Sequence, residues 1–141
     1  MIIMVSEELQ KKYIALQMAK QQLESMMEQK NALDKRMAEM AITSEALEEL
    51  EKTKKGEEIW STLGSGTFIQ SSVKDMSKVI VSVGAGVAIK KDREKAIEIL
   101  KSRMGELRDV ERELIELFTK HAEQTSMLEA EVQKLAEKES D

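Results

Sequence analysis

The sequence predicts a mainly α-helical fold with a small β component: a long antiparallel coiled-coil hairpin with two β-hairpins at its centre. Two stretches carry apolar residues at alternating spacings of three and four without a break, which is the heptad seam of a coiled coil. The segment between them, residues 57–91, alternates apolar and polar residues around paired glycines, which is typical of β structure. We treat the whole chain, residues 1–141, as a single domain.

The first helix is predicted over residues 6–55. Ser6 is a suitable N-cap, Glu7 and Glu8 follow it in the first turn, and Gly56 is suited to end the helix. Lysines near residue 55 would complement the carbonyl end of the helix dipole. The seam of this helix consists of Leu9, Lys12, Leu16, Ala19, Leu23, Met26, Lys30, Leu33, Met37, Met40, Ser44 and Leu47.

The second helix is predicted over residues 92–138, with Asp92 as its N-cap. At 1.5 Å per residue each helix would be about 70 Å long, and equal lengths favour a hairpin that buries both seams. Polar seam residues such as Glu111 and His121 would reduce stability and fix the register, and we interpret His121 as a seam residue and not as a ligand. The seam consists of Ile97, Leu100, Met104, Leu107, Glu111, Leu114, Phe118, His121, Thr125, Leu128, Val132 and Leu135.

Two β-hairpins are predicted between the helices. Strands 59–63 and 67–73 flank one glycine pair, and strands 78–83 and 87–90 flank the other. The turn glycines are Gly64, Gly66, Gly84 and Gly86. So small a sheet with exposed edges is marginal by itself, which favours an assembly interface over a self-contained cap on the coiled coil. The predicted interface residues are Trp60, Leu63, Phe68, Ile69, Val79, Ile80, Val81, Val83, Val87 and Ile89.

The composition argues against several functions. A net charge of −5 disfavours nucleic acid as a partner, and no apolar run approaches the ~20 residues of a membrane span. One histidine and no cysteine leave only carboxylates as metal ligands, and these are spread along the helix surfaces as partners of lysine and arginine. A strand follows each glycine pair where a phosphate loop needs a helix, and no nucleophile–base pair can be proposed. We therefore expect a soluble, cytoplasmic protein that is not an enzyme and needs no cofactor or metal.

Residues 68–91 resemble the alpha subunits of archaeal prefoldin. The most specific part is VIVSVGAGVAIKK at residues 79–91, and residues 63–69 are similar to the first hairpin turn of the family. Two hairpins indicate the alpha class, because beta subunits have one. The family often has a Pro-Val step before the first Gly-x-Gly, where this chain has Thr62-Leu63, which leaves the packing of the first hairpin open.

The resemblance implies a subunit of an ATP-independent chaperone with two alpha and four beta subunits. The hairpins would join into a double β-barrel platform, and the coiled-coil tips would hold unfolded polypeptides and deliver them to a group II chaperonin. Fraying seam ends would expose the predicted client-binding residues, which are Ile2, Ile3, Val5, Leu9, Tyr13, Leu128, Val132 and Leu135. Leu9, Leu128 and Leu135 could equally close the hairpin, whereas Ile2, Ile3 and Val5 lie before the cap and are expected to be exposed or disordered. The rival hypothesis is a coiled-coil scaffold or spacer that binds one defined folded partner.

Overall fold

The computed structural model describes residues 6–140 and has the predicted fold class. Helix α1 spans Glu7–Glu49 and is followed by a short 3₁₀ helix, Leu50–Lys52. Four strands come next, and the long helix α2 ends the described chain. The strands are β1 (Glu58–Gly64), β2 (Thr67–Ser72), β3 (Lys78–Gly84) and β4 (Val87–Asp92), and α2 spans Arg93–Ser140. The strand bounds agree with the predicted ones to within two residues, and β2, β3 and β4 begin where they were predicted to begin.

The described chain forms two compact units. Unit 1 contains residues 6–35 and 107–140, and unit 2 contains residues 36–106. In unit 1 the start of α1 pairs with the end of α2, as shown by Lys12 Nζ at 2.8 Å from Glu131. In unit 2 the end of α1 pairs with the start of α2, where Lys101 Nζ lies 3.1 Å from Glu48. The helices are antiparallel within each unit.

The predicted seams form the interface between the helices in both units. Every seam position of both series is buried or half-buried. The most buried positions include Leu16 and Met26 on α1 and Met104 on α2. Two seam residues with hydroxyl groups, Ser44 and Thr125, are buried as well. The spacing of three and four therefore identified the packed face correctly, because those residues share one side of a helix.

The predicted end of the first helix was wrong. The α-helix stops at Glu49 and not at Lys55, and Thr53 already has an extended backbone. Gly56 does not end the helix: it has a φ of +86° in a turn, and its N–H donates to the Val73 carbonyl at 3.0 Å. Since this bond extends the pairing of the first hairpin, the chain must leave the helix earlier than its composition suggests.

The predicted starts of the two helices have different outcomes. The Ser6 hydroxyl accepts a hydrogen bond from the Leu9 N–H at 3.1 Å, which confirms Ser6 as the N-cap of α1. Asp92 precedes α2 as predicted, but it is the last residue of β4 and its carboxylate accepts a hydrogen bond from Lys78 across the hairpin. The Arg93 N–H at the start of α2 donates to the Ser77 carbonyl at 2.8 Å.

The strands form two separate antiparallel hairpins. Trp60 pairs with Gln70 in the first hairpin, and Ile80 pairs with Lys90 in the second. Both central residues of each two-residue turn, Ser65-Gly66 and Ala85-Gly86, have positive φ, as a type I′ hairpin turn requires. Across residues 6–140 these are two-stranded sheets, and they close no barrel within the chain.

Candidate functional site

An open apolar groove of about 660 Å³ lies between α1 and α2 in unit 1. Tyr13 and Ile14 lie beside the seam and remain 53% and 59% exposed. A large apolar side chain at such a position is left in contact with water, because the helix pair buries only one stripe of each helix. The lining residues are Leu9, Gln10, Tyr13, Ile14, Val132 and Ala136. The groove can therefore accept apolar side chains from another molecule without any rearrangement of the seam.

The groove contains some of the predicted client-binding residues and omits others. Leu9, Tyr13 and Val132 line it, whereas Leu128 and Leu135 are half-buried seam residues outside its lining. Ile2, Ile3 and Val5 lie outside the described residues. Sequence reasoning missed Gln10, Ile14 and Ala136. Ile14 could have been found as a large apolar residue directly beside the seam, at a position that a narrow helix pair leaves exposed.

Two ion pairs link the helices near this groove. Lys12 Nζ donates to Glu131 at 2.8 Å, and Lys20 Nζ lies 3.5 Å from Glu129. The hydrogen bond to Glu131 raises the pKa of Lys12, and attraction to Glu131 and Glu8 adds to the effect while partial burial opposes it. These pairs are partly exposed and screened by solvent, so we expect them to affect register and solubility more than stability.

The predicted interface residues of the hairpins divide into two groups. Val81 is buried and Val79 and Ile89 are half-buried, so unit 2 itself covers these three residues. Arg103 of α2 also reaches the second hairpin, where its guanidinium donates to the Ser82 carbonyl at 2.7 Å. The remaining large apolar side chains are exposed: Trp60, Leu63, Phe68, Ile69, Ile80, Val83 and Val87. Only this second group is available to another chain.

The first hairpin has exposed apolar residues on both faces. Trp60 and Phe68 share one face, because Trp60 pairs with Gln70 and Phe68 pairs with Thr62, two positions further along β1. Ile59 and Ile69 lie on the opposite face and are exposed too. A two-stranded hairpin with apolar residues on both faces and unpaired edges is marginal in water, so it is suited to pack against strands of other chains.

A charged cleft of about 570 Å³ lies in unit 2, where the 3₁₀ helix, the loop between the hairpins and the start of α2 meet. Arg93 lies 3.9 Å from Glu51 in this cleft. Asp75 accepts hydrogen bonds from the hydroxyl and the N–H of Ser77 at 2.6 and 2.8 Å, and these bonds lower the pKa of Asp75. Arg93 thus pairs with Glu51, and Ser77 satisfies Asp75, which is typical of a structural junction.

The described part of the chain offers neither a metal site nor a membrane span. Within residues 6–140 no three histidine, cysteine or acidic side chains are grouped so that they could hold a metal ion. None of the helices in that range is both long and apolar enough to cross a membrane.

The family model for prefoldin subunits matches residues 19–138. The chain belongs to the prefoldin family. Relatives include a prefoldin subunit alpha from Methanococcus vannielii, which is 31% identical over 94% of this chain and 88% of its own length. A prefoldin subunit alpha from Archaeoglobus fulgidus is 27% identical over 83% of this chain and 90% of its own length. The resemblance seen in residues 68–91 is thus confirmed, and the chain is a prefoldin-family chaperone subunit.

Solved prefoldin structures share the fold. A chain of filamentous prefoldin from Methanocaldococcus jannaschii superimposes with a TM-score of 0.74 at 22% identity, covering 83% of this chain and 97% of the other. The prefoldin beta subunit from Thermococcus strain KS-1 superimposes with a TM-score of 0.59 at 20% identity, covering 94% of this chain and 96% of the other. At these identities the prefoldin structures support the arrangement of two long helices around a β segment, and they do not identify functional residues.

Proposed function

We propose that the chain is the alpha-type subunit of a prefoldin hexamer with two alpha and four beta subunits. Its groove in unit 1 binds apolar segments of unfolded polypeptides, and its hairpins join an oligomeric β-barrel platform. The complex acts without ATP and delivers its clients to a group II chaperonin. The single observation that carries the client-binding part is the apolar groove of about 660 Å³ between the paired helices.

The chemistry of the groove suits weak and unselective binding. Unfolded chains share exposed apolar side chains and little else, so a binding site for them needs apolar area without a shaped pocket. Tyr13 and Ile14 provide this area from α1, and Val132 provides it from α2. Lys12 and Glu131 pair with each other beside the groove, so they add no net charge to it. Because binding to such a surface is weak, the client can dissociate again.

The hairpins suit assembly for a different reason. The side chains of Trp60 and Ile80 are 69% and 74% exposed, although both are large and apolar. Burying such side chains against another subunit would stabilise the assembly by about 1.5–3 kcal/mol for each side chain. The strand edges in addition offer unpaired backbone N–H and C=O groups to a neighbouring strand. Several exposed side chains and open edges together make a hairpin of this kind a strong candidate for an oligomer interface.

The client-binding proposal is tested with the reconstituted hexamer and a chemically denatured test protein, such as citrate synthase. We expect the double variant Tyr13→Ser/Ile14→Ser to protect the denatured protein from aggregation less well than the wild type, as measured by light scattering. Both side chains are exposed, so the substitutions remove apolar area without opening the seam. Protection by the wild type should be the same with and without ATP.

The matched control is Ile42→Ser on the same helix. Ile42 is 68% exposed and lies in unit 2, away from the groove residues, so this variant should protect as well as the wild type. Equal protection by the groove variant and the control would refute client binding in the groove and would favour the scaffold hypothesis. A wild-type complex that needs ATP, or that fails to transfer a labelled client to a group II chaperonin, would refute those parts of the proposal.

Assembly is tested separately through Trp60, the single tryptophan of the chain. Its emission should shift to shorter wavelength when purified beta subunits are added, because its side chain moves from water into an interface. Trp60→Ser should weaken assembly in analytical ultracentrifugation, and Ile42→Ser should not. An unchanged emission spectrum in a fully assembled hexamer would exclude this face of the first hairpin from the interface.

A further inference from the structure

A group of three ionisable side chains interrupts the apolar seam in unit 1. Lys30 Nζ donates to Asp34 Oδ2 at 2.8 Å along α1. Across the seam on α2, the carboxyl group of Glu111 lies within hydrogen-bonding reach of the Asp34 carboxyl group. Glu111 is half-buried, and no N–H or O–H group among the described residues donates to its buried Oε2 atom. We call Lys30, Asp34 and Glu111 the carboxyl node.

Two ionised carboxylates cannot hydrogen-bond to each other, because both are acceptors only. A hydrogen bond between Asp34 and Glu111 therefore requires a proton on one of them. The hydrogen bond to Asp34 is the main reason that the pKa of Glu111 is raised, and burial and repulsion from Asp34 add to it. The hydrogen bonds to Glu111 and Lys30 lower the pKa of Asp34. The structure thus favours Glu111 as the protonated partner.

The surrounding charges do not neutralise a second carboxylate. Lys30 is the cation that faces the pair from α1, and its interaction with Asp34 raises its own pKa, so it remains charged. On α2, Arg108 is exposed, and Arg112 forms an ion pair on the outer surface of its own helix. With both carboxyl groups ionised, the node would hold two negative charges and one positive charge between the helices.

We propose that Asp34 and Glu111 hold one proton between them and that this proton controls how tightly the two helices of unit 1 pair. With the proton bound, the node is neutral and hydrogen-bonded. Loss of the proton leaves two carboxylates in contact at the seam, which pushes the helices apart. Lys30 also lines an apolar pocket of about 210 Å³ with Met26 and Phe118 among its walls, so loosening at the node would expose apolar surface next to it.

The direction of the pH dependence follows from proton binding. Because the pKa of Glu111 is raised on folding, the folded state holds this proton more tightly than the unfolded chain does. Its contribution to stability is full below the ordinary glutamate pKa of about 4.3 and is lost as pH rises through the folded value. Asp34 acts oppositely: its contribution is lost as pH falls through its lowered pKa. Helix pairing at the node should therefore be strongest under mildly acidic conditions.

The test compares the full chain with Glu111→Gln, a neutral residue of similar shape, in urea unfolding from pH 4.5 to 8.5 at constant ionic strength and protein concentration. Helix content is followed by circular dichroism. We expect the ratio of the wild-type unfolding constant to that of Glu111→Gln to rise with pH and then level off. The rise should lie between the ordinary glutamate pKa of about 4.3 and the raised pKa of the folded chain, because only in that interval does the folded chain bind more protons at Glu111 than the unfolded chain does.

Two further measurements keep the proposal falsifiable. The control Glu113→Gln removes an acidic group from an exposed position on the same helix. The ratio of the wild-type unfolding constant to that of Glu113→Gln should not rise with pH in this way. Carbon-13 NMR of the carboxyl groups, with the Glu111 resonance assigned from Glu111→Gln, should show Glu111 titrating above the ordinary glutamate value in the wild type and closer to it in Asp34→Asn. The proposal would be overturned if the ratio of the wild-type unfolding constant to that of Glu111→Gln did not change with pH. It would also be overturned if Glu111 titrated at the ordinary glutamate value.

Discussion

Replacing Ser44 by alanine should stabilise the protein. Ser44 occupies a seam position of α1 in unit 2 and is only 5% exposed. Its Oγ atom is buried and has no hydrogen-bond partner among the described residues. The hydroxyl therefore loses its bonds to water on folding and gains none in return. Alanine would keep the Cβ atom in the seam and remove this unsatisfied group.

The magnitude follows from two contributions. An unsatisfied buried polar group costs about 1–3 kcal/mol. Serine is also a poorer helix former than alanine, by at most about 0.7 kcal/mol. Because a serine hydroxyl within a helix can weakly engage the carbonyl four residues earlier, we take the lower part of the first range. The free energy of unfolding should rise by about 1–2 kcal/mol in Ser44→Ala.

Urea unfolding of the full chain, followed by circular dichroism at 222 nm, measures this change. The matched control is Ser25→Ala, since Ser25 is an exposed residue of the same helix, 3.5 Å from Gln29 Nε2. Ser25→Ala gains the higher helix propensity of alanine but removes no buried hydroxyl, so its free energy of unfolding should rise by at most about 0.7 kcal/mol. If Ser44→Ala were no more stable than Ser25→Ala, the hydroxyl would not be an uncompensated cost and the reasoning would fail.

Two further predictions concern the seam and the second hairpin. Leu16 is 4% exposed and Met18 is 64% exposed on the same helix, so Leu16→Ala should cost about 2–4 kcal/mol and Met18→Ala less than about 0.5 kcal/mol in the same unfolding assay. Equal losses would contradict the assignment of the buried face. The hydrogen bond from Lys78 lowers the pKa of Asp92, so the stability that this pair contributes should be lost as pH falls through that lowered value. Lys78→Met should return the titration of Asp92, measured by carbon-13 NMR, toward about 3.9, and an unchanged titration would contradict the ion pair.

Local features of the chain could be recognised without a structure. The spacing of Leu16, Met26 and Met104 identified the buried helix faces, because side chains at alternating three- and four-residue intervals share one side of a helix. The N-cap at Ser6 was recognisable for a similar reason, since a cap depends on a few neighbouring residues. The glycine pairs marked both turns, because a type I′ turn needs positive φ within two adjacent residues.

Features that depend on distant residues were not accessible in this way. The first helix ends at Glu49 because Gly56 pairs with Val73. Helix propensity depends on neighbouring residues and cannot predict such a contact. Val81 and Ile80 look alike in the sequence, yet the packing of unit 2 buries one and exposes the other.

Spacing along the chain thus established the helices, their buried faces and the two hairpins, because each depends on short-range periodicity. Only the tertiary structure decided which apolar residues remain exposed. It placed Ile14 and Val132 in one apolar groove in unit 1, and Asp34 beside Glu111 in the carboxyl node. The physical reason is register: a helix presents its seam according to local geometry, but which residues meet across that seam depends on how two distant segments align.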